Sequence, residues 1–114
     1  MQSLSLYHNP KCSKSRQALT ILQEAKVSVE VKLYLTEGIK AYEVQVLAKK
    51  LELFPTEFIR KNEVIYKQFH SKIFSLEEWS VIIETHPILL QRPIFVVGDQ
   101  AIIARPPDRI RQLI

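Results

Sequence analysis

The feature that most constrains this sequence is a strand, a loop and a helix in immediate succession near the N-terminus. Leu4–Tyr7 predicts a short strand, and Asn9-Pro10 breaks it into a loop that ends at Cys12. Apolar residues then recur at the spacing of a buried helical face, and Ser13 favours a helix start. Between Val29 and Leu35, apolar and polar residues alternate as in a second strand. This pattern predicts a β–α–β unit with Cys12 at the start of its helix.

The middle of the chain carries helical signals. One apolar stripe contains Val44, Leu47, Ala48 and Leu51. Thr56–Phe69 predicts further turns, and Ser75-Leu76-Glu77-Glu78 matches a capping box at the start of another helix. That helix should end near His86, because Pro87 disfavours helical backbone in the residue before it.

The C-terminal part predicts a hairpin and a last helix. Ile94–Val97 and Ala101–Ala104 have the composition of strands, and Gly98-Asp99 between them is a plausible hairpin turn. Pro106 and Pro107 precede the last short helix. The resulting order is compatible with an α/β, thioredoxin-like fold that has a helical insertion between the second and third strands. A chain of 114 residues is expected to form this fold as a single domain, residues 1–114.

Composition excludes several classes of protein. No apolar run approaches the roughly 20 residues that span a bilayer, and the first ten residues lack a secretion signal, so we expect no membrane association and a cytoplasmic location. The net charge of +4 suggests an anionic partner. Because the basic residues are scattered from Lys11 to Arg111 with acidic residues between them, nucleic acid is not the expected one.

A lone cysteine is either inert or chemical, and its position favours chemistry. With one cysteine the chain forms no internal disulfide, and the three separated histidines lack metal-ligand spacing, so we expect no metal and no bound cofactor. Unpaired N–H groups at a helix start stabilise a thiolate and also hold oxyanions. Lys11, Lys14 and Arg16 add positive charge near Cys12, and a protonated His8 would favour the thiolate.

The alternative readings are structural. A lone cysteine in a cytosolic domain is commonly a buried, inert residue. His8 is at least as often a hydrogen-bonded structural residue as a catalytic one, and Asn9 and Ser15 are common turn and cap formers. None of these residues is specific by itself.

Four motifs together resemble the arsenate reductase family that is coupled to glutathione and glutaredoxin. They are Tyr7-His8-Asn9-Pro10-Lys11-Cys12-Ser13-Lys14-Ser15-Arg16, Arg60-Lys61-Asn62 with Tyr66, His86-Pro87-Ile88-Leu89 leading to Arg92-Pro93-Ile94, and Arg105-Pro106. They cover nearly the whole chain in the family's order. The Ser13-Lys14 pair and the short C-terminus resemble a shorter branch of the family.

The resemblance implies that the Cys12 thiolate attacks arsenate or a similar oxyanion, and that Arg60, Arg92 and Arg105 surround it. Arginine suits this role because its planar fork of donors matches tetrahedral oxyanions. His8, Asn9, Ser15 and Arg16 would support the site. Glutathione would be the co-substrate, and glutaredoxin would resolve the mixed disulfide. The Arg92–Pro93 bond would be cis, whereas the other X–Pro bonds, including that at Pro106, are expected to be trans.

Two rival functions share this scaffold. One is a glutathione-dependent thiol reductase that acts on mixed disulfides and has no role in arsenic chemistry. The other is a non-catalytic redox regulator that binds RNA polymerase. Regulators of that kind sense redox state through Cys-x-x-Cys, and here Ser15 occupies the position of the second cysteine.

Overall fold

A four-stranded mixed sheet organises the N-terminal and C-terminal parts of the chain in the computed structural model, which describes residues 3–114. Its strands are β1 (Leu4–Tyr7), β2 (Glu30–Lys32), β3 (Ile94–Val97) and β4 (Gln100–Ile103). The spatial order is β2-β1-β3-β4, with β1 parallel to β2 and antiparallel to β3, and β4 antiparallel to β3. The short turn between β3 and β4 confirms the predicted hairpin at Gly98-Asp99.

The chain divides into two compact units. The first comprises the described residues up to Glu37 together with Arg92–Ile114, and the second is Gly38–Gln91. The second unit falls in the chain between β2 and β3, where a helical insertion was predicted. Among residues 3–114, no helix has both the length and the apolar character needed to cross a bilayer.

Helices accompany the sheet in the first unit and make up most of the second. The first unit contains α1 (Ser13–Glu24), the short α2 (Tyr34–Glu37) and a C-terminal 3₁₀ helix (Pro107–Leu113). The second contains α3 (Ala41–Leu51), α4 (Leu76–Thr85) and 3₁₀ turns at Pro55–Glu57, Val64–Gln68 and Pro87–Leu89. The predicted last helix is thus present, but as a 3₁₀ helix.

The core of the first unit holds α1 against the sheet. Ala18 and Leu22 of α1 are fully buried in one cluster with Leu6 of β1, Phe95 of β3 and Ile110 of the C-terminal 3₁₀ helix. Burying one such leucine contributes about 1.5–3 kcal/mol. This packing fixes the start of α1 relative to the strands of its own unit.

The helical unit has its own core and a clear capping signal. Val44 and Leu47 of α3 are buried, as are Trp79 and Ile83 of α4. The Ser75 hydroxyl accepts a hydrogen bond from the Glu78 amide at 3.1 Å, and the Glu78 carboxylate accepts one from the Ser75 amide at 2.9 Å. This reciprocal pair confirms the predicted capping box, and α4 ends at Thr85 as expected from the proline that follows.

The second strand is shorter than predicted. The alternation from Val29 to Leu35 predicted one strand, but β2 ends at Lys32 and α2 begins at Tyr34. The carbonyl of Leu33 accepts hydrogen bonds from the amides of Thr36 and Glu37, and the Glu37 carboxylate accepts one from the Leu33 amide. Because β2 is an edge strand paired on one side, this local turn competes successfully with extension of the ladder.

Candidate active site

The sheet brings the end of β1, the start of β3 and the end of β4 together at one end of the strands. Tyr7 at the end of β1 pairs with Ile94 at the start of β3, and Ile94 pairs with Ile103 at the end of β4. The amide of Ala104 continues the ladder by donating to the carbonyl of Pro93 at 2.9 Å. The same register carried one residue further sets Arg92 opposite Arg105. The loop that leads from β1 to Cys12 leaves the sheet at this end of the strands.

Hydrogen bonds to backbone groups hold the loop that carries Cys12. The carbonyl of Asn9 accepts from the amide of Cys12 at 3.0 Å, and the Asn9 side-chain oxygen accepts from the amide of Lys11 at 3.0 Å. The Arg16 guanidinium donates to the carbonyl of Pro10 at 2.9 Å. Cys12 therefore occupies the N-cap position of α1 in an extended conformation, and its exposed fraction is 8%.

Ser15 is the polar anchor of this loop. It is fully buried, its hydroxyl oxygen accepts from the amide of Asn9 at 3.0 Å, and it lies 2.7 Å from Nδ1 of His8. A neutral imidazole with an unprotonated Nδ1 can accept the serine hydroxyl proton. Burial, followed by the nearby charge of Arg16, lowers the pKa of His8 below 6.5.

The prediction that a protonated His8 favours the Cys12 thiolate is therefore wrong. Removing an imidazolium from water is unfavourable, and the positive charge of Arg16 adds to that penalty. At neutral pH His8 is mainly uncharged and belongs to the hydrogen-bonded support of the loop.

The Cys12 thiol is nevertheless acidic. Burial opposes its ionisation, but a hydrogen bond from the Ser15 amide, a hydrogen bond and the charge of Arg92, and a hydrogen bond from the Lys14 amide outweigh it. Together they lower the pKa of Cys12 from 9.0 to about 7. About half of the thiol is then ionised at neutral pH, compared with about one per cent at the ordinary value. The predicted helix-start amides supply part of this effect.

Two of the predicted arginines lie with Cys12. Nη1 of Arg105 is 3.9 Å from the cysteine sulfur and also donates to the carbonyl of Arg92 at 3.1 Å. Nε and Nη1 of Arg92 are buried and have no hydrogen-bond acceptor among residues 3–114. Leaving buried guanidinium N–H groups without an acceptor costs free energy, so these two groups favour the binding of an anion.

Both arginines precede a cis proline. The Arg92–Pro93 peptide bond is cis, which is the geometry that the family resemblance implied. The Arg105–Pro106 bond is cis as well, so the prediction of a trans bond at Pro106 is wrong. That prediction relied on the general excess of trans X–Pro bonds, and this preference amounts to only about 0.5–1 kcal/mol.

Arg60 lies in the second unit. Its guanidinium forms an ion pair with Glu63, and its amide donates to the carbonyl of Leu89 at 2.7 Å. Its predicted part in oxyanion binding stays a prediction. Within the described part of the chain, no group of three or more histidine, cysteine or acidic residues has the arrangement of a metal site.

Sequence reasoning missed two features of the site. Ser15 was expected to support the site, but its position as the buried partner of both His8 and Asn9 was not predicted. The second feature is the bond from Arg105 to the carbonyl of Arg92, which joins residues 13 positions apart. A signal for the second feature was present, because a two-residue turn at Gly98-Asp99 sets positions 92 and 105 opposite each other.

Comparisons with known proteins show which proteins this chain resembles. A model of the ArsC family matches residues 7–113. An arsenate reductase of Haemophilus influenzae is 33% identical over 115 residues, covering 98% of this chain and 99% of the relative. The uncharacterized protein YfgD of Escherichia coli K12 is 36% identical over 116 residues, covering 99% and 98% respectively.

A solved structure matches the fold of this chain. The arsenate reductase from Vibrio cholerae matches this chain with a TM-score of 0.92 at 32% identity, covering 99% of this chain and 98% of that one. The likeness confirms the predicted α/β, thioredoxin-like fold with its helical insertion.

Proposed function

Because the chain belongs to the ArsC family, we propose that it reduces arsenate to arsenite, with Cys12 as the nucleophile and glutathione and glutaredoxin as the sources of electrons. The relatives from Haemophilus influenzae and Vibrio cholerae, both arsenate reductases by name, support the substrate. The lone cysteine fits a reducing compartment, so we place the enzyme in the cytoplasm.

One observation carries the proposal. A thiol whose pKa is about 7 lies beside Arg92, whose buried Nε and Nη1 have no acceptor among residues 3–114. A tetrahedral oxyanion placed against Arg92 would accept hydrogen bonds from both N–H groups, and its central atom would then lie toward the sulfur of Cys12. Arg105, held by the carbonyl of Arg92, adds a second guanidinium on the same side as the thiol.

The first chemical step is substitution at arsenic. The Cys12 thiolate forms a sulfur–arsenic bond, and the bond from arsenic to one hydroxyl of the protonated arsenate breaks as that hydroxyl takes a second proton and leaves as water. Negative charge remains on the other oxygens, where the guanidinium groups of Arg92 and Arg105 stabilise it. We propose that Arg60 supplies a third guanidinium, as the family resemblance implies.

The second step is reduction. The glutathione thiolate attacks the sulfur of Cys12, a disulfide forms, and the electron pair of the sulfur–arsenic bond passes to arsenic, which leaves as arsenite. Each sulfur loses one electron and arsenic gains two. A glutaredoxin thiolate then attacks the glutathione sulfur of the mixed disulfide and releases the Cys12 thiolate. The chain contains one cysteine and therefore requires an external thiol.

The test is arsenite production from arsenate in the presence of glutathione and glutaredoxin. The wild-type protein should form arsenite, and Cys12→Ser should form none while keeping its circular dichroism spectrum. A wild-type protein that reduces glutathione mixed disulfides and forms no arsenite would replace this proposal with the thiol reductase reading.

A further inference from the structure

A cleft of about 480 Å³ lies beside the candidate active site, entirely within the first unit. One wall is the exposed face of α1, and the other is the start of the C-terminal 3₁₀ helix at Pro107 and Asp108. The α1 wall includes Ser13, which directly follows Cys12, and reaches Thr20. Its volume falls within the range of about 300–1,000 Å³ that is usual for sites of small ligands.

The cleft begins at Ser13, the residue after the nucleophile, and extends along the helix. Ser13, Arg16, Gln17 and Thr20 are spaced at three or four residues, so their side chains form one stripe on α1. At about 1.5 Å per residue, this stripe is roughly 10 Å long. An extended chain of three residues spans about 10–11 Å. A short peptide with its thiol at the Cys12 end therefore has room for one arm in the cleft.

The charges of the walls select a particular kind of arm. Arg16 contributes a guanidinium, and among residues 3–114 one of its N–H groups donates to the carbonyl of Pro10 in the hydrogen bond at 2.9 Å. Asp108 contributes a carboxylate across the cleft and is largely exposed. A pair of opposite charges matches a head group that carries both a carboxylate and an ammonium.

We propose that this cleft binds glutathione, with the free amino-acid head of its γ-glutamyl arm between Arg16 and Asp108. The γ-linkage leaves both the α-carboxylate and the α-ammonium of glutamate unblocked on one residue, whereas each end of an ordinary peptide carries only one of these two groups. The thiol of the central cysteine then lies at the Cys12 end of α1. The inference rests on the proposed function and adds to it the binding site of the co-substrate.

Binding can be measured apart from turnover. Amide chemical shifts of the full-length protein are recorded during titration with S-methylglutathione, which has the head group and no reactive thiol. We expect the shifted amides to include Gln17, Thr20 and Asp108. Shifts confined to other surfaces, or no binding, would overturn the proposal.

Two pairs of variants locate the contacts. Thr20→Phe fills the cleft and should raise the Kd of S-methylglutathione by about ten-fold or more, whereas Gln23→Phe places the same ring on α1 outside the cleft and should not. Asp108→Asn should raise it about two- to five-fold, as expected for one exposed ion pair. Arg111→Gln breaks the existing pair between Arg111 and Asp108 and should have no such effect.

Turnover separates this inference from the function on which it rests. If arsenite forms and Thr20→Phe and Gln23→Phe have the same KM for glutathione, the cleft is not the glutathione site, although the enzyme is an arsenate reductase. If no arsenite forms but S-methylglutathione binds in the cleft and Thr20→Phe abolishes that binding, the site stands and the substrate assignment falls.

Discussion

Replacing Arg92 with methionine should make the Cys12 thiol less acidic. Burial raises the pKa of this thiol, and the opposing interactions, in which Arg92 takes part through both a hydrogen bond and its charge, bring it down to about 7 from 9.0. That decrease corresponds to roughly 3 kcal/mol in favour of the thiolate. Methionine keeps most of the length of the side chain and removes the charge and the donors.

The expected rise in the pKa of Cys12 depends on how much of the present decrease comes from Arg92. The amides of Ser15 and Lys14 remain in the variant, so only the contribution of Arg92 is lost. An adjacent opposite charge lowers a pKa by about one to three units, and we take the lower end because the amides persist. A rise of about one unit reduces the thiolate fraction at neutral pH from about one half to about one tenth.

Iodoacetamide alkylation followed against pH measures this change. At neutral pH Arg92→Met should react about five-fold more slowly than the wild type, and above pH 9 the two rates should converge because both thiols are ionised. Arg109→Met is the matched control, since Arg109 donates to the carbonyl of Ile103 rather than to the thiol. An unchanged midpoint in Arg92→Met, or an equal change in Arg109→Met, would refute the reasoning.

Three further predictions concern the nucleophile, the arginines and the loop. Cys12→Ser should abolish arsenite formation in the coupled assay, because a serine hydroxyl is scarcely ionised and forms no sulfur–arsenic bond. Arg105→Ala and Arg60→Ala should each lower kcat by on the order of 10²–10³, and the lysine variants should lose less because they keep the charge without the fork; wild-type rates in either alanine variant would remove that residue from the site. Because the pKa of His8 is lowered in the folded protein, the unfolded chain takes up the proton first as pH falls, and the free energy of unfolding decreases below pH 6.5. Urea unfolding should show a smaller decrease in the free energy of unfolding with acid in His8→Asn than in the wild type or in His70→Asn.

Local rules located most elements because local interactions decide them. β1 covers Leu4–Tyr7 as predicted, since a proline and an asparagine follow it and stop the strand. Ser75 and Glu78 form the predicted box because both hydrogen bonds lie within one turn. The hairpin formed because Gly98, at a φ of 59°, adopts the left-handed conformation that such a turn requires.

The same rules failed where a distant partner or a local competitor decides the outcome. Tyr34 continued the alternating pattern of a strand, yet it is a buried residue that begins a helical turn, which hydrogen bonds to the Leu33 carbonyl and the Glu37 carboxylate close. The charge state of His8 depends on how deeply the fold buries it, and sequence spacing from Cys12 carries no such information. For the same reason the motif order could place Arg92 near Cys12 but could not show that its Nε and Nη1 lack an acceptor among residues 3–114.

Ser15 gives a physical reason for the single thiol and the external reductant of the proposed mechanism. The position three residues after the nucleophile is where a resolving cysteine would stand, but here its oxygen accepts from the Asn9 amide and contacts His8 Nδ1. Those two bonds fix the loop whose geometry makes Cys12 the N-cap of α1 and exposes its sulfur to the amides of Lys14 and Ser15. A thiol is a weaker donor and acceptor than a hydroxyl, so a cysteine would hold the loop less firmly. In this loop a cysteine at position 15 would therefore weaken the contacts that order Cys12. With serine there, the proposed mechanism takes its second thiol from solution.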